Sequence, residues 1–250
     1  MTLPTPELDP PAEPLDVLCV AAHPDDAELS VGGTLIVAAR EGLRTGVLDL
    51  TSGEPTPRGT PQTREAETAE ASRHLELSWR GNLGLPNRSL TDSLPYRRRL
   101  AEAFRRLRPR LVLAHHPQDV HPDHVAAAAL VDGARFWGKL SRSDLAGEPY
   151  FVPQVLSFWS IHLRTPAEPS VVVDISDAIE AKTAAVTAYQ SQLGIGESRA
   201  FPTVVDDMQA RSRHWGWSIH AAYGEPLLCR EMIPARSVRG VVDLWSREPK

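Results

Sequence analysis

The sequence lacks most of the features that would take it outside the ordinary globular classes. It has only two cysteines, Cys19 and Cys229, in 250 residues. Two such thiols make no disulfide framework, and Cys19, inside an apolar run, reads as a small buried hydrophobe. No stretch approaches the roughly 18 apolar residues of a membrane-spanning helix. The opening segment, MTLPTPELDPPAEPLD, has neither the basic start nor the apolar core of a secretory signal. With five prolines in residues 1–14 it reads as an extended, flexible tail, and the expected location is the cytoplasm. Basic residues form no long block. Their densest group, Arg97 to Arg99 with Arg105, Arg106, Arg108 and Arg110, falls on a predicted helix and its exit and reads as a solvated helix face. The formal net charge is -5, whereas a nucleic-acid footprint needs a basic excess. The glycine-rich turn of a dinucleotide-binding module is also missing. HPDDAE follows the first predicted strand, and Gly32-Gly33 comes too late, inside the helix.

What is present suffices for a sizeable core, with 42% hydrophobic and 24% charged residues. Residues 15–22, LDVLCVAA, form a short apolar run that predicts a buried strand. Residues 27–41 predict a helix in which Gly32 and Gly33 favour close packing, and residues 45–50 a second strand. A loop over 51–62 leads to a helix over 63–74, a strand over 75–79 and a loop over 81–92. A helix over 94–107, a strand over 110–114 and a helix over 123–137 follow. Beyond these, strands are expected over 155–162 and 170–173, with helices from 176 to 192 and from 203 to 223. The alternation predicts an α/β domain: a Rossmann-like, doubly wound, mostly parallel sheet flanked by helices. We read one domain over 15–250 behind the tail of 1–14; two domains divided near 140–150 are the alternative.

Two polar segments stand where the predicted strands end. Ala22-His23-Pro24-Asp25-Asp26-Ala27-Glu28 follows the first strand, and open α/β sheets bind their ligands outside such strand ends. Two adjacent carboxylates repel one another if buried without a cation. A divalent metal removes that difficulty, with one carboxylate coordinating and the other handling a proton of water. Helix capping is the plainer role for either aspartate, and Glu28 reads as a favourable charge in the first helical turn. The second segment, His115-His116-Pro117-Gln118-Asp119-Val120-His121-Pro122-Asp123-His124, follows the fourth strand. It holds four of the nine histidines in the chain, too many for a solvated loop of ordinary composition. Catalytic zinc commonly has three protein ligands, and His23, Asp26 and His124 make a two-histidine, one-carboxylate set that iron(II) would accept as well. Asp123 is placed to orient a histidine, His121 to protonate or to stabilise an oxyanion, and His115 and His116 to satisfy loop backbone groups.

Together the AHPDD and HPDH motifs resemble those of the PIG-L (LmbE-like) family of N-acetylglucosaminyl deacetylases, over about residues 15–234. Within it the chain is most similar to the deacetylases of bacillithiol biosynthesis, on TSGEPTPRGTPQTREAE at 51–67, PSVVVDIS at 169–176, KTAAVTAYQSQ at 182–192 and YGEPL at 223–227. The resemblance implies a zinc-dependent N-deacetylase with His23, Asp26 and His124 as ligands and Asp25 as general base. It implies His121 as the group that stabilises the tetrahedral intermediate or protonates the amine, with Asp123 supporting that histidine. Arg58 matches an arginine of the substrate loop. The implied substrate is an N-acetylglucosaminyl conjugate, with L-malate as aglycone, and the implied assembly a homo-oligomer. His214, His220 and the stretch Thr56-Pro57-Arg58-Gly59 depart from the family pattern. Alternative substrates are an inositol conjugate, a chitooligosaccharide, an antibiotic precursor or a thiol conjugate.

Overall fold

A computed structural model describes residues 8–56, 58–164, 168–193, 202–234 and 237–239. In chain order the elements are β1 (Val17–Ala21), α1 (Asp26–Arg40), β2 (Thr45–Thr51), α2 (Pro61–His74), β3 (Trp79–Leu85), α3 (Leu94–Leu107), β4 (Leu111–His115), α4 (Pro122–Gly138), β5 (Gln154–Phe158) and β6 (Val171–Asp174). A 3-10 turn (Ser176–Ala178), α5 (Ile179–Thr187), α6 (Gln190–Leu193), α7 (Val204–Ser218) and β7 (Gly224–Leu228) complete them. The seven strands form one sheet in the order β3-β2-β1-β4-β5-β7-β6. The first five run parallel, and β7 is antiparallel to both β5 and β6.

The central strands are mostly apolar, β1 throughout, because helices cover both faces. Leu18 and Val20 of β1 point into the core shared with Leu100, Phe104 and Leu130 of α3 and α4. Val17, Cys19 and Ala21 alternate onto the other face, against Leu35 and Ile36 of α1 and Ala185 of α5. The chain winds outward from β1 on one side and from β4 on the other. These two strands are neighbours, with Val20 opposite Ala114, so the loops after them leave the sheet side by side at its switch point. The two polar segments are therefore brought together by topology.

The glycine pair in α1 has a packing reason. The helix breaks at Val31 (φ -133°, ψ 16°). The freed N–H groups of Gly33 and Thr34 donate to the buried Glu225 carboxylate at 2.9 and 2.6 Å, and Lys182 Nζ balances its charge at 2.6 Å. A Cβ on Gly33 would stand 2.7 Å from Ile175 Cδ1.

The structure corrects several expectations. The strand expected over 75–79 is the exit of α2, where Leu75 closes the helix and Glu76 takes a left-handed φ of 56°. The third strand lies over Trp79–Leu85, most of it expected as loop because of Gly81, Asn82 and Gly84. Nothing in the sequence predicts β7, since Pro226 sits inside it. The helix expected to reach 192 breaks into a 3-10 turn and two helices, and α7 stops at Ser218. Of the expected tail, residues 1–7 lie outside the described residues. Residues 8–14 are not a free arm: Leu8 is buried and Trp79 Nε1 donates to the Asp9 carbonyl at 2.7 Å. Arg105 is buried too, donating to the carbonyls of Gly138, Leu140, Leu145 and Gly147, so part of the basic helix face is a loop fastener. Among the described residues no helix is long and apolar enough to cross a membrane. Both cysteines are free thiols.

Candidate active site

The site begins where β1 gives way to α1. Asp25 occupies the N-cap position with a left-handed φ of 110°, yet its side chain makes no capping hydrogen bond. Its carboxylate instead lies 3.3 Å from the Arg64 guanidinium, which also donates to the Pro24 carbonyl. The plain capping role therefore does not describe Asp25. Asp26 turns the other way. Its Oδ2 accepts the His23 N–H at 2.8 Å, and its carboxylate sits among three imidazoles. Oδ1 is 3.2 Å from His124 Nε2, and Oδ2 is 3.3 Å from both His23 Nδ1 and His115 Nε2.

Two overlapping groups of three have ligating atoms within 4.8 Å of one another, Asp26 with His115 and His124, and His23 with His121 and His124. The outer contacts tell them apart. His115 Nε2 accepts the Ala22 N–H at 3.1 Å, which occupies its lone pair. His116 Nδ1 likewise accepts from Gln118 N, so both histidines satisfy loop backbone as the sequence suggested. His23 and His124 each face Asp26 with one nitrogen and a second carboxylate with the other. His23 Nε2 is 3.1 Å from Asp123 Oδ2, and His124 Nδ1 is 3.2 Å from Asp119 Oδ2. A carboxylate behind an imidazole fixes its tautomer and strengthens it as a ligand. Asp119 is a residue that sequence reasoning passed over. Asp123 is held by the N–H groups of Arg88 and Leu90; its carboxylate supports His23 rather than His121, whose Nδ1 instead accepts the Asp123 main-chain N–H at 3.2 Å.

The electrostatics show what the cluster wants. Burial works against charge on His23, but bonding and attraction to Asp26 and Asp123 carry its pKa up to about 9. Burial is likewise outweighed at His124 by Asp26 and Asp119, and the pKa rises to about 10. Burial alone would raise Asp26, yet the charge on His124 holds it well below the usual carboxylate range. The site thus keeps two protons on imidazoles around a fixed anion, where one divalent cation would replace both. Burial pushes Asp25 up to about 7, against the pull of Arg64 and with help from Asp26 and Glu28.

A cavity of about 230 Å³ opens over this cluster, lined by Asp25, Arg64, Arg88, His121 and His162 among others. His162 is not among the residues the sequence singles out. It follows β5 at the same sheet edge, 5.6 Å ring to ring from His121, and the strand-end rule applied to that strand would have found it. Arg58 is not in the cavity wall. Its carbonyl accepts from Thr56 Oγ1, the chain turns away at Gly59 (φ 80°), and Thr56 lines the cavity in its place. Glu28 is no exposed helix-turn charge. It is buried against Arg80 and Tyr189, at 2.6 and 3.0 Å. His220 is exposed beyond the end of α7 and does not line the cavity. A larger cavity, about 490 Å³, lies between α2 and β3, but no ligating side chains converge there among the described residues.

Comparison with known proteins agrees with this geometry. The sequence profile of the family described as GlcNAc-PI de-N-acetylase (PIG-L) matches residues 18–134. The diacetylchitobiose deacetylase of Thermococcus kodakarensis is 34% identical over 194 residues, 70% of this chain and 69% of that one. The "Probable N-acetyl-alpha-D-glucosaminyl L-malate deacetylase 2" of Bacillus anthracis is 28% identical, over 70% of this chain and 80% of its own. The crystal structure of a conserved protein of Thermus thermophilus superposes with a TM-score of 0.82 at 44% identity, covering 94% of this chain and all of that one. With the two motifs facing each other at the switch point of the sheet, the chain belongs to the PIG-L family of N-acetylglucosaminyl deacetylases.

Proposed function

We propose that the protein hydrolyses the N-acetyl group of N-acetylglucosaminyl L-malate, giving acetate and the free amine, with zinc held by His23, Asp26 and His124. The observation that carries the reading is the Asp26 carboxylate set between two imidazoles, each backed by a further carboxylate. Two nitrogens and one oxygen suit zinc, and iron(II) fits the same donors. When bound, the cation supplies polarisation of the acetyl carbonyl and acidifies water. The chain supplies the rest. Asp25, free of any capping duty, is the base that takes a proton from water, and a carboxyl pushed up to about 7 is matched to that task. His121 lines the cavity 4.4 Å from the His124 ring, placed to meet charge on the carbonyl oxygen or to return the proton to the departing nitrogen. Asp123 serves both histidines, His23 through its carboxylate and His121 through its N–H. Arg64 and Arg88, rather than Arg58, are the arginines in the wall of the cavity.

The likeness to a diacetylchitobiose deacetylase favours a second reading, in which the aglycone is another sugar. Acetate release from the zinc-loaded protein, measured on the malate conjugate, an inositol conjugate and diacetylchitobiose, separates them. The highest kcat/KM is expected on the malate conjugate. Faster turnover of diacetylchitobiose would reassign the aglycone, and no acetate from any of the three would remove the deacetylase reading.

A further inference from the structure

A second cleft, of about 310 Å³, adjoins the site cavity and has no part in the chemistry above. The two are consecutive along the chain: His162 lines the site cavity, and the next two residues, Leu163 and Arg164, line the cleft. Its walls are aromatic. Trp159 and Trp215 stand 6.3 Å apart ring to ring, and His214 packs on Trp215 at 5.0 Å. Trp159 also stacks on His116 at 5.5 Å, which ties the cleft to the loop that carries His121 and His124.

The charge of the cleft has one sign. Arg164 and Arg211 line it, and among the described residues no aspartate or glutamate does. Arg211 is committed to the fold, donating to the carbonyls of Ser160 and Ile161 at 2.9 and 2.8 Å. Arg164 is exposed and pairs with no carboxylate among the described residues. The two guanidiniums repel: burial and Arg164 both weaken protonation of Arg211, and the acid that offsets them, Asp207, is not in the lining. Trp159 is only 8% exposed, yet its Nε1 has no acceptor. A donor of this kind, buried without a partner, costs stability.

We infer that this cleft is the aglycone subsite, and that Arg164 there takes a carboxylate carried by the aglycone while Trp159 and Trp215 enclose its carbon chain. The inference rests on the deacetylase reading above and adds where specificity lies. Sugar recognition near the metal ligands is shared by every N-acetylglucosaminyl substrate; the cleft reads what is attached to the sugar. A guanidinium with no carboxylate partner suits a carboxylate, which accepts its N–H groups in pairs. Neutral cyclitols and second sugars offer no charge to Arg164.

The test compares the malate conjugate of N-acetylglucosamine with its dimethyl ester, which removes both charges and adds two methyl groups. In the zinc-loaded wild type, the diacid is expected to have the higher kcat/KM, by on the order of tenfold or more, carried in KM. Arg164→Gln is expected to remove most of that preference, Arg164→Glu to invert it, and Arg164→Lys to restore part of it. Because Arg164 is exposed, these variants retain the fold, which circular dichroism checks. Three outcomes overturn the inference: no preference in the wild type, a preference unchanged in the glutamine and glutamate variants, or losses confined to kcat. If neither substrate yields acetate, diacetylchitobiose decides what failed. Turnover of diacetylchitobiose keeps the deacetylase and rejects the anionic subsite; none rejects both.

Discussion

Asp25 and Asp26 are neighbours in sequence with opposite duties, and backbone conformation separates them. The left-handed φ at Asp25 turns its carboxylate to the cavity, whereas Asp26, the first residue of α1, faces the imidazoles. Asp25→Asn keeps shape and removes charge, so the variant is expected to hold its metal and fold while kcat falls about 100-fold or more, the scale of a positioned base. Asp26→Asn is expected to lose metal and turnover together. Metal analysis beside kcat decides it; an active, metal-loaded Asp25→Asn enzyme ends the general-base assignment. Asp119 gives a second test. It touches no substrate, yet it stands behind His124 at 3.2 Å. Asp119→Asn is expected to weaken zinc affinity by about 10- to 100-fold, the usual effect of a carboxylate behind a ligand histidine. Competition with a zinc-sensitive dye reads it, and unchanged affinity would show that His124 needs no support. The same dye tests His23→Ala against His115→Ala. Metal lost only from the second would move the ligand role to His115.

α1 sets the direction of Asp26, and its break at Val31 depends on contacts that sequence periodicity does not carry. Gly33→Ala drives a Cβ into Cδ1, Cβ and Cγ2 of Ile175, all within 2.8 Å. Overpacking of that kind costs about 1–3 kcal/mol. Gly32→Ala is tight only against the end of the Leu75 side chain at 3.1 Å, with Lys182 Cγ at 3.4 Å in ordinary contact, so its cost is expected to be smaller. Urea unfolding of the two variants measures the difference, and equal stabilities would mean that Ile175 yields. The elements legible in the sequence are those whose environment is uniform. β1 and most of β4 are buried on both faces and read as apolar runs; β2 is buried too and carries Asp49, which Arg80 meets at 2.8 Å; α3 shows its apolar stripe, and its expected and observed bounds coincide. β3 pairs only with β2, on the edge of the sheet, where Gly81, Asn82 and Gly84 are tolerated and the alternation fades. β7 holds Pro226, a residue that argues against an inner strand. It is inner nevertheless, between β5 and β6.

At the scale of the whole molecule, the site is a joint between two loops that the parallel sheet places side by side, and this is why its centre could be read from the chain. Both motifs follow strand ends, so any doubly wound order that pairs β1 with β4 unites them. Arg64, His162 and the cleft beyond belong to helices and loops whose approach depends on long-range packing, and a single sequence carries no signal of that distance. A metal in this joint ties the β1 loop to the β4 loop, so its binding stabilises the fold, and pH sets by how much. In the metal-free protein His23 and His124 titrate at about 9 and about 10, against an ordinary 6.5. A histidine whose pKa is raised by folding stabilises fully below its unfolded pKa, and that contribution is lost as pH rises through the folded value. The metal-free protein is therefore expected to lose stability steadily from about pH 6.5 towards 9 to 10 as these two contributions fade. Asp25, raised to about 7, acts in the same direction at lower pH, since a carboxyl held protonated by folding is increasingly penalised as pH rises from its unfolded value to 7. Zinc must displace the imidazole protons, so its affinity rises over the same interval. The expected outcome is a gap between the Tm of zinc-loaded and chelator-treated protein that widens from about pH 6.5 to about 8.5. In His124→Gln the gap is expected to shrink, and the metal-free Tm to fall less steeply with pH. Calorimetric melts at three pH values measure both slopes. A gap that stays constant across that range in the wild type would mean that the protons and the cation do not compete for one place, and the ligand set would have to be sought elsewhere.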